Sequence, residues 1–141
     1  MKITRDFVVG VYLVKDKKVL LVKHKKLGVW LPAGGHIEKD ETPEESAVRE
    51  VKEETGFNIE LKTEKFHRIQ ILKMSHVEIH PINKEHEHIN FTYFTKPIGG
   101  KLTLNKKEHD DLKWFSEEDL ERENVPIEIK TFAKQAIAEV E

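Results

Sequence analysis

Apolar positions in the first part of the chain fall into two nearly unbroken runs. Phe7 to Val14 is the first run and Val19 to Val22 is the second, and the polar segment Lys15 to Lys18 separates them. Continuous apolar runs of this length are typical of strands buried on both faces. A short polar connector between such runs is typical of a tight turn. The pattern therefore predicts two buried strands joined by a turn.

The segment between Thr42 and Gly56 has the signals of a helix. Thr42 is suited to cap the helix, Pro43 is favourable in a first turn, and Glu45 completes a capping box with Thr42. Gly56 is placed to end the helix in a left-handed conformation. We therefore predict one helix between these two caps.

Strand and helix patterns alternate along the rest of the chain. Strands that precede and follow helices predict an α/β layered domain. The sequence shows no internal repeat and no linker rich in Pro, Gly or Ser, which predicts a single domain over residues 1–141. The further predicted elements are a loop with a short strand at Leu27–Ile37, strands at Ile59–Leu72, Ile89–Thr95 and Leu112–Phe115, a turn at Pro97–Gly100, a helical turn capped by Ser116, and an amphipathic helix from about Pro126 to Val140.

The composition narrows the class of protein. Hydrophobic residues make up 38% and charged residues 35% of the 141 residues, as in soluble globular proteins. The chain has no cysteine, which excludes a disulfide framework, thiolate zinc sites and thiol catalysis. No apolar run approaches the roughly 20 residues of a membrane span, and the first six residues lack the apolar stretch of a signal peptide. We expect a cytoplasmic protein without a membrane partner, and the net charge of −2 predicts no binding to duplex nucleic acid.

Three glutamates of the predicted helix have a spacing that is relevant to metal binding. Glu50, Glu53 and Glu54 stand at positions i, i+3 and i+4, so they project from nearly the same face. Like charges at this spacing destabilise a helix, and a divalent cation with a preference for oxygen ligands, Mg²⁺ or Mn²⁺, would compensate. Arg49 precedes Glu53 by four residues and could neutralise one carboxylate. A solvated helix face is the alternative, because helix surfaces favour glutamate in any case.

The loop before the helix adds backbone groups to this chemistry. Gly34 and Gly35 allow the backbone to approach a phosphate or a metal closely, with carbonyl oxygens available for coordination. Glu41 lies between these glycines and the glutamates. We expect Glu41 to orient Arg49 or the metal-binding glutamates.

The complete arrangement resembles the Nudix box at every fixed position. Gly35 is followed after five residues by Glu41, and after seven more by the segment Arg49–Phe57, with valine and phenylalanine in the two apolar places. The flanking segments Trp30–Glu38 and Leu112–Leu120 are also similar to the lead-in and to the late strand and short helix of these enzymes. The resemblance therefore covers most of the chain, although only the box is diagnostic.

The resemblance implies a fold, a reaction and a set of residues. The fold would be an α/β/α sandwich around a mixed β-sheet. The reaction would be the Mg²⁺-dependent attack of water on a phosphoanhydride of a nucleoside diphosphate derivative, with Mn²⁺ as an alternative metal and a nucleoside monophosphate as product. Glu50, Glu53 and Glu54 would bind the metal, together with the carbonyl of Gly34. Arg49 would orient the glutamates through a salt bridge, so that Glu50, Glu53 and Arg49 form the expected catalytic set. The base is one of these glutamates or a later carboxylate.

Glu108 is our candidate for that later carboxylate. It precedes Trp114, in the loop where relatives similar to MutT place an additional acidic metal ligand. The alternative is that residues 106–111, which are nearly all charged, form a surface loop. Both interpretations remain open at the level of the sequence.

The histidines offer a weaker indication of function. His80, His86 and His88 surround Pro81, and in a loop such spacing is more often exposed polarity than a zinc or nickel site. A second interpretation is that this segment covers the substrate pocket, so that His88 touches phosphate or base. His36 occupies a variable position of the box, and we expect it near a phosphate.

The aromatic residues of the last long strand have two possible roles. Phe91, Tyr93 and Phe94 could stack on a nucleobase. Their alternation with polar residues indicates that at least one face of this strand belongs to the core. We expect two of the three to be core residues.

Several substrates remain open. A small nucleotide, such as a damaged nucleoside triphosphate, is favoured, because similar enzymes that cleave ADP-ribose carry a proline about fifteen residues after the box. This chain has Leu72 and Lys73 at that distance, and the region also lacks the tyrosine of relatives that act on dinucleoside polyphosphates. Nucleotide sugars, ADP-ribose and capped RNA remain alternatives. A non-catalytic nucleotide-binding domain would usually lose box glutamates, and an isoprenoid diphosphate isomerase would need a cysteine. The family leads us to expect a monomer or a homodimer.

Overall fold

A computed structural model describes residues 2–107 and 109–140 of the chain. The strands in these residues are β1 (Thr4–Lys15), β2 (Lys18–His24), β3 (Trp30–Leu31), β4 (Ala33–His36), β5 (Phe57–Asn58), β6 (Thr63–Phe66), β7 (Ile69–Leu72), β8 (His76–Asn83), β9 (His86–Thr95), β10 (Gly99–Gly100) and β11 (His109–Phe115). The helices are α1 (Pro43–Thr55), α2 (Glu117–Arg122) and α3 (Ile127–Glu139).

The main sheet is mixed and lies between helices. Its strand order is β11-β2-β1-β9-β8, with β3 paired to β2 and β4 paired to β1. β1 and β9 run parallel, whereas the other pairs of this sheet are antiparallel. Helix α1 packs on one face and helix α3 packs on the other. The predicted α/β/α sandwich around a mixed sheet is therefore confirmed.

Strand β1 is central because both of its faces are covered. Val9, Val11 and Leu13 belong to the core on the side of α1, while Tyr12 and Val14 belong to the core on the side of α3. Each of these side chains is at most 3% exposed. The continuous apolar run thus marks a strand buried on both faces, as predicted.

The predicted turn between the first two strands is also present. Lys15 of β1 pairs with Lys18 of β2, which leaves a loop of two residues, Asp16 and Lys17. Both have positive φ, 52° and 60°, as the two-residue turns that match strand twist require.

The caps of the first helix are those expected from the sequence. The Thr42 hydroxyl accepts a hydrogen bond from the Glu45 amide at 3.1 Å, and the Glu45 carboxylate accepts one from the Thr42 amide at 2.9 Å. Gly56 ends α1 with a φ of 81°. Ser116 forms the corresponding capping box with Asp119 at the start of α2.

The last helix presents the predicted apolar stripe. Its members pack against the core that contains Tyr12, and they are Ile129, Phe132, Ala133, Ala136 and Ile137. Within the described residues, no helix combines the length and the apolar character that crossing a membrane would take.

Two predictions for the middle of the chain are wrong. The stretch Ile59–Leu72 is not one strand, because β6 and β7 form a hairpin that turns at His67, where φ is 58°. The histidines around Pro81 do not lie in a loop, because β8 and β9 form an antiparallel pair. β8 is an edge strand of the main sheet, and an edge tolerates a proline that cannot donate a ladder hydrogen bond.

Candidate metal centre and active site

Helix α1 places two of the three box glutamates against the sheet and the third toward solvent. Glu50 and Glu54 are only 9% and 4% exposed, whereas the Glu53 side chain is 52% exposed. The spacing of four residues between Glu50 and Glu54 explains why they share the buried side of the helix. A buried carboxylate is costly unless it has partners, so the contacts of these two groups define the site.

Arg49 links the carboxylates to the preceding loop. Its guanidinium donates two hydrogen bonds to Glu41, at 2.6 and 2.9 Å. It donates further bonds to Glu50 at 3.3 Å, to Glu53 at 3.2 Å and to the carbonyl of His36 at 3.1 Å. The Arg49 hydrogen bonds hold the pKa of the Glu41 carboxyl at about 2, and the same pairing raises the pKa of Arg49. The sequence-based expectation that Glu41 contacts Arg49 agrees with this geometry.

The glycine loop contacts the same carboxylates. The Gly34 amide donates a hydrogen bond to Glu54 Oε1 at 2.9 Å. A Cβ atom on Gly35 would lie 1.6 Å from Glu50 Oε2, so a side chain at position 35 and the present position of Glu50 exclude each other. The glycine at position 35 is therefore required by the close approach of the carboxylate.

His109 is a residue of this site that the sequence reasoning missed. It is 7% exposed, and its Nε2 atom lies 3.4 Å from Glu54 Oε2. It stands at the start of β11, opposite His24 of β2. The sequence signal for His109 was its position just before the predicted strand Leu112–Phe115, because that strand contributes residues to the core. Glu108, the candidate ligand predicted in the same loop, lies outside the described residues.

The donor set of the site fits a hard divalent cation such as Mg²⁺ or Mn²⁺. Three carboxylates project from α1, one of them against the backbone of the glycine loop, and all of these donors are oxygen atoms. The carboxylates are directed to Arg49, Gly34 and His109. Because the carboxylates repel one another, they favour partners that carry positive charge or donate hydrogen bonds. A bound cation would draw the carboxylate oxygen atoms together.

Two of the histidines named from the sequence lie close to a carboxylate. Within residues 2–107 and 109–140, one group of His, Asp and Glu side chains has all its ligand atoms within 4.8 Å of one another, namely Asp6, His36 and His88. His80 is Cα partner to His88 on β8 but is not part of that group. The sequence favours exposed polarity as the role of the histidines around Pro81, and it did not indicate that His36, His88 and Asp6 come together.

The aromatic residues of β9 belong to the two cores. Tyr93 is 1% exposed, and Phe91 packs on the same core. Phe94 points to the other face and makes an edge-on contact with Tyr12, with ring centroids 5.5 Å apart. We expected two core residues among these three, and all three have core contacts.

The whole arrangement matches that of a known family. The model of the NUDIX domain matches residues 4–137. A crystal structure of a NUDIX-family hydrolase from Clostridium perfringens superposes with a TM-score of 0.83 at 33% identity, covering 96% of this chain and 98% of that chain. The chain belongs to the Nudix hydrolase family.

Curated relatives show similarity over shorter spans. A Bacillus subtilis protein described as a putative 8-oxo-dGTP diphosphatase is 32% identical over 106 residues, which are 75% of this chain and 62% of that protein. A Lactococcus lactis protein described as a probable DHNTP pyrophosphohydrolase is 30% identical over 84% of this chain and 65% of its own length. An ADP-ribose pyrophosphatase from Methanocaldococcus jannaschii is 46% identical over 35% of this chain and 31% of its own length. The chain thus matches less than two thirds of the length of each relative.

Proposed function

We propose that this chain is a divalent-cation-dependent hydrolase of a phosphoanhydride bond in a nucleoside diphosphate derivative, with a modified nucleoside triphosphate as its preferred substrate. It releases a nucleoside monophosphate. One observation carries the proposal: the buried carboxylates of Glu50 and Glu54 contact the glycine loop, while Arg49 ties Glu50 to Glu41.

The glutamates of α1 are the metal ligands in this proposal. Glu50, Glu53 and Glu54 hold Mg²⁺ or Mn²⁺ together with the Gly34 carbonyl, and Glu108 is a further candidate ligand. When bound, the cation lowers the pKa of water and neutralises charge on the phosphate oxygens. Glu50 and Glu53 are the candidates to accept the proton of the attacking water, because one guanidinium holds both carboxylates.

Arg49 is a positioning residue in this scheme. A guanidinium is planar and offers its donors in a fixed geometry, so it can hold several acceptors in one arrangement. Here the acceptors are the carboxylates of Glu41, Glu50 and Glu53 and one backbone carbonyl. Replacement of Arg49 by lysine would keep the charge and lose this geometry.

The choice of a triphosphate rests on the relatives. The two relatives with triphosphate descriptions match 75% and 84% of this chain, whereas the ADP-ribose pyrophosphatase matches 35%. Matches over 75% and 84% of the chain extend far beyond the box segment Gly35–Phe57. ADP-ribose and nucleotide sugars are therefore the alternatives that the assay must distinguish.

A polar surface lies beside the glycine loop, on the face of the sheet opposite α1. Glu78 accepts hydrogen bonds from Thr92 at 3.1 Å and from Asn90 at 3.4 Å. Among the described residues, the buried Oδ1 atom of Asn90 has no hydrogen-bond partner. The Asn90 side chain covers Gly10, which pairs with Gly34 of the loop. Because this surface and the box glutamates lie on opposite faces of the sheet, it does not enter the choice of substrate.

The test is a product assay over a panel of substrates, each with and without Mg²⁺. The panel contains ordinary and oxidised nucleoside triphosphates, ADP-ribose, nucleotide sugars and dinucleoside polyphosphates. We expect metal-dependent release of a nucleoside monophosphate and pyrophosphate from one group of triphosphates. Preferential turnover of ADP-ribose or a nucleotide sugar would overturn the substrate class. Absence of turnover over the whole panel, by folded protein, would overturn the catalytic proposal.

A further inference from the structure

The chain has a second group of metal-ligating side chains that the proposed active site does not use. Asp6 of β1, His36 of β4 and His88 of β9 bring their ligand atoms within 4.8 Å of one another. The register of the strands explains why these side chains lie close together, because Asp6 pairs directly with His88 across the parallel strands β1 and β9. Strand β4 lies on the other side of β1, where His36 pairs with Val8. Three strands thus contribute one residue each.

This group lies on the face of the sheet opposite the box glutamates. Successive residues of a strand point to opposite faces. Gly35 faces Glu50 of α1, so the imidazole of its neighbour His36 is directed to the other face. The two sites are therefore adjacent along the chain and separated by the sheet.

The spacing of the ligand atoms suits a tetrahedral metal. His36 Nε2 lies 3.1 Å from Asp6 Oδ2, and His86 Nε2 lies 3.2 Å from the same oxygen. With metal–ligand bonds of about 2.0–2.1 Å, neighbouring ligands of tetrahedral Zn²⁺ are about 3.3 Å apart. The Thr4 hydroxyl is 2.8 Å from Nδ1 of His86, and Nε2 of that ring contacts Asp6, so His86 is a neighbour of the three-residue group and not a member of it.

We propose that Asp6, His36 and His88 form a second metal site, selective for Zn²⁺ or a similar transition metal, with the fourth position left to water. The donor set distinguishes it from the site on α1. Imidazole nitrogens with one carboxylate suit Zn²⁺, whereas carboxylates and carbonyls suit Mg²⁺. The proposal is independent of the proposed hydrolase function.

Ion pairing between these groups gives the cluster little stability. The side chains of His36 and Asp6 are 63% and 46% exposed, and exposed ion pairs contribute little to stability. Three neighbouring imidazoles would also repel one another if all were protonated. The ring centroid of His88 lies 5.3 Å from that of His36 and 5.1 Å from that of His86. A cation that replaces the protons removes this repulsion.

The directions in which the pKa values of His88 and Asp6 are shifted agree with metal binding. Burial, with the nearby His36 and His86, lowers the pKa of His88, which favours the neutral ring. The hydrogen bond with His36 lowers the pKa of Asp6, which favours the carboxylate. A metal requires both of these forms.

The test uses untagged protein in excess Mg²⁺, so that the site on α1 does not compete for transition metals. Zn²⁺ affinity is measured by competition with a chromophoric chelator, and Co²⁺ serves as a spectroscopic probe. Tetrahedral Co²⁺ absorbs strongly in the visible range, whereas octahedral Co²⁺ on oxygen ligands absorbs weakly. We expect a tetrahedral Co²⁺ spectrum at one equivalent, which Zn²⁺ abolishes.

The variants locate the site. His36→Ala and His88→Ala are expected to weaken Zn²⁺ binding by about tenfold or more, since even the loss of a group behind a ligand has an effect of this size. His67→Asn removes an exposed histidine in the turn between β6 and β7 and should bind Zn²⁺ as the wild type does. Circular dichroism confirms folding, and His88→Gln replaces any variant that fails to fold. Unchanged Zn²⁺ affinity in both cluster variants, or a purely octahedral Co²⁺ spectrum, would overturn the proposal.

Discussion

Replacement of Gly35 by alanine tests the proposed active site with a single methyl group. The added Cβ would lie 1.6 Å from Oε2 and 2.6 Å from Cδ of Glu50. Carbon and oxygen need a separation of about 3.5 Å, so the carboxylate must move by roughly 2 Å. A misplacement of about 1 Å in a catalytic site can reduce the rate by about a hundredfold. We therefore expect kcat of Gly35→Ala to fall by about a hundredfold or more.

The same variant should lose little stability, because the atoms that must move are at the end of a flexible side chain. The backbone of Gly35 is not in the left-handed region, so alanine introduces no backbone strain there. Overpacking costs typically about 1–3 kcal/mol, and we expect a value near the lower end from denaturant unfolding. The predicted signature is thus a large loss of kcat with a small loss of free energy of unfolding.

Gly99→Ala is the matched control. A Cβ at this position would meet the Asn58 side chain at 3.7 Å, an ordinary contact. This variant should keep both activity and stability. If Gly35→Ala kept wild-type kcat with the same metal dependence, the carboxylate of Glu50 would have no catalytic role and our reasoning would be refuted.

Three further substitutions test other parts of the account. Thr42→Ala removes the cap of α1 and should lower the free energy of unfolding by about 1 kcal/mol; an unchanged denaturation midpoint would reject the capping box. Glu41→Gln should destabilise the protein at pH 7. The Arg49 hydrogen bonds keep the pKa of Glu41 at about 2 in the folded chain, so this stabilisation is complete above the unfolded value of about 4.5 and is lost as the pH falls toward 2. The difference in unfolding free energy between Glu41→Gln and wild type should therefore shrink over that range, and a constant difference would contradict the pairing. His109→Gln should raise severalfold the Mg²⁺ concentration for half-maximal turnover, because His109 lies against Glu54; an identical Mg²⁺ titration would assign His109 to the core alone.

The parts of the fold that the sequence predicts well are those with local signals. Helix α1 carries its own caps at Thr42 and Gly56, and these depend on residues within a few positions of one another. β1 and β2 are continuous apolar runs because helices cover both faces of the sheet. Neither prediction needs knowledge of distant partners.

The wrong predictions concern two hairpins, β6–β7 and β8–β9, whose strands and turns lack the usual sequence signals. β8 is exposed at the sheet edge and contains polar residues and Pro81, so its sequence does not have the pattern of a buried strand. Its conformation is stabilised by its antiparallel partner β9. Segment 59–72 contains a turn at His67 without glycine or proline, and the turn therefore had no sequence signal.

In the site, contacts within one helix can be predicted from the sequence, whereas contacts between distant segments of the chain cannot. The spacing of Glu50, Glu53 and Glu54 within one helix predicts a common face, which the structure shows for the buried Glu50 and Glu54, while Glu53 is turned to solvent. The meeting of Asp6 with His88 depends on the parallel register of β1 and β9. The contact of His109 with Glu54 likewise joins a late strand to an early helix. Neither contact is encoded in short-range spacing.

The most direct test of the central claim is the steady-state turnover of the preferred substrate by Glu54→Gln at saturating Mg²⁺. Glu54 is buried and contacts the Gly34 amide, and glutamine keeps its size while removing the charge that a cation requires. Glu60→Gln, an exposed glutamate beyond α1, serves as the control. The account predicts a loss of several orders of magnitude in kcat for Glu54→Gln, with folding nearly intact, and wild-type kcat for Glu60→Gln. Wild-type turnover by Glu54→Gln would contradict the assignment of the metal centre to the glutamates of α1.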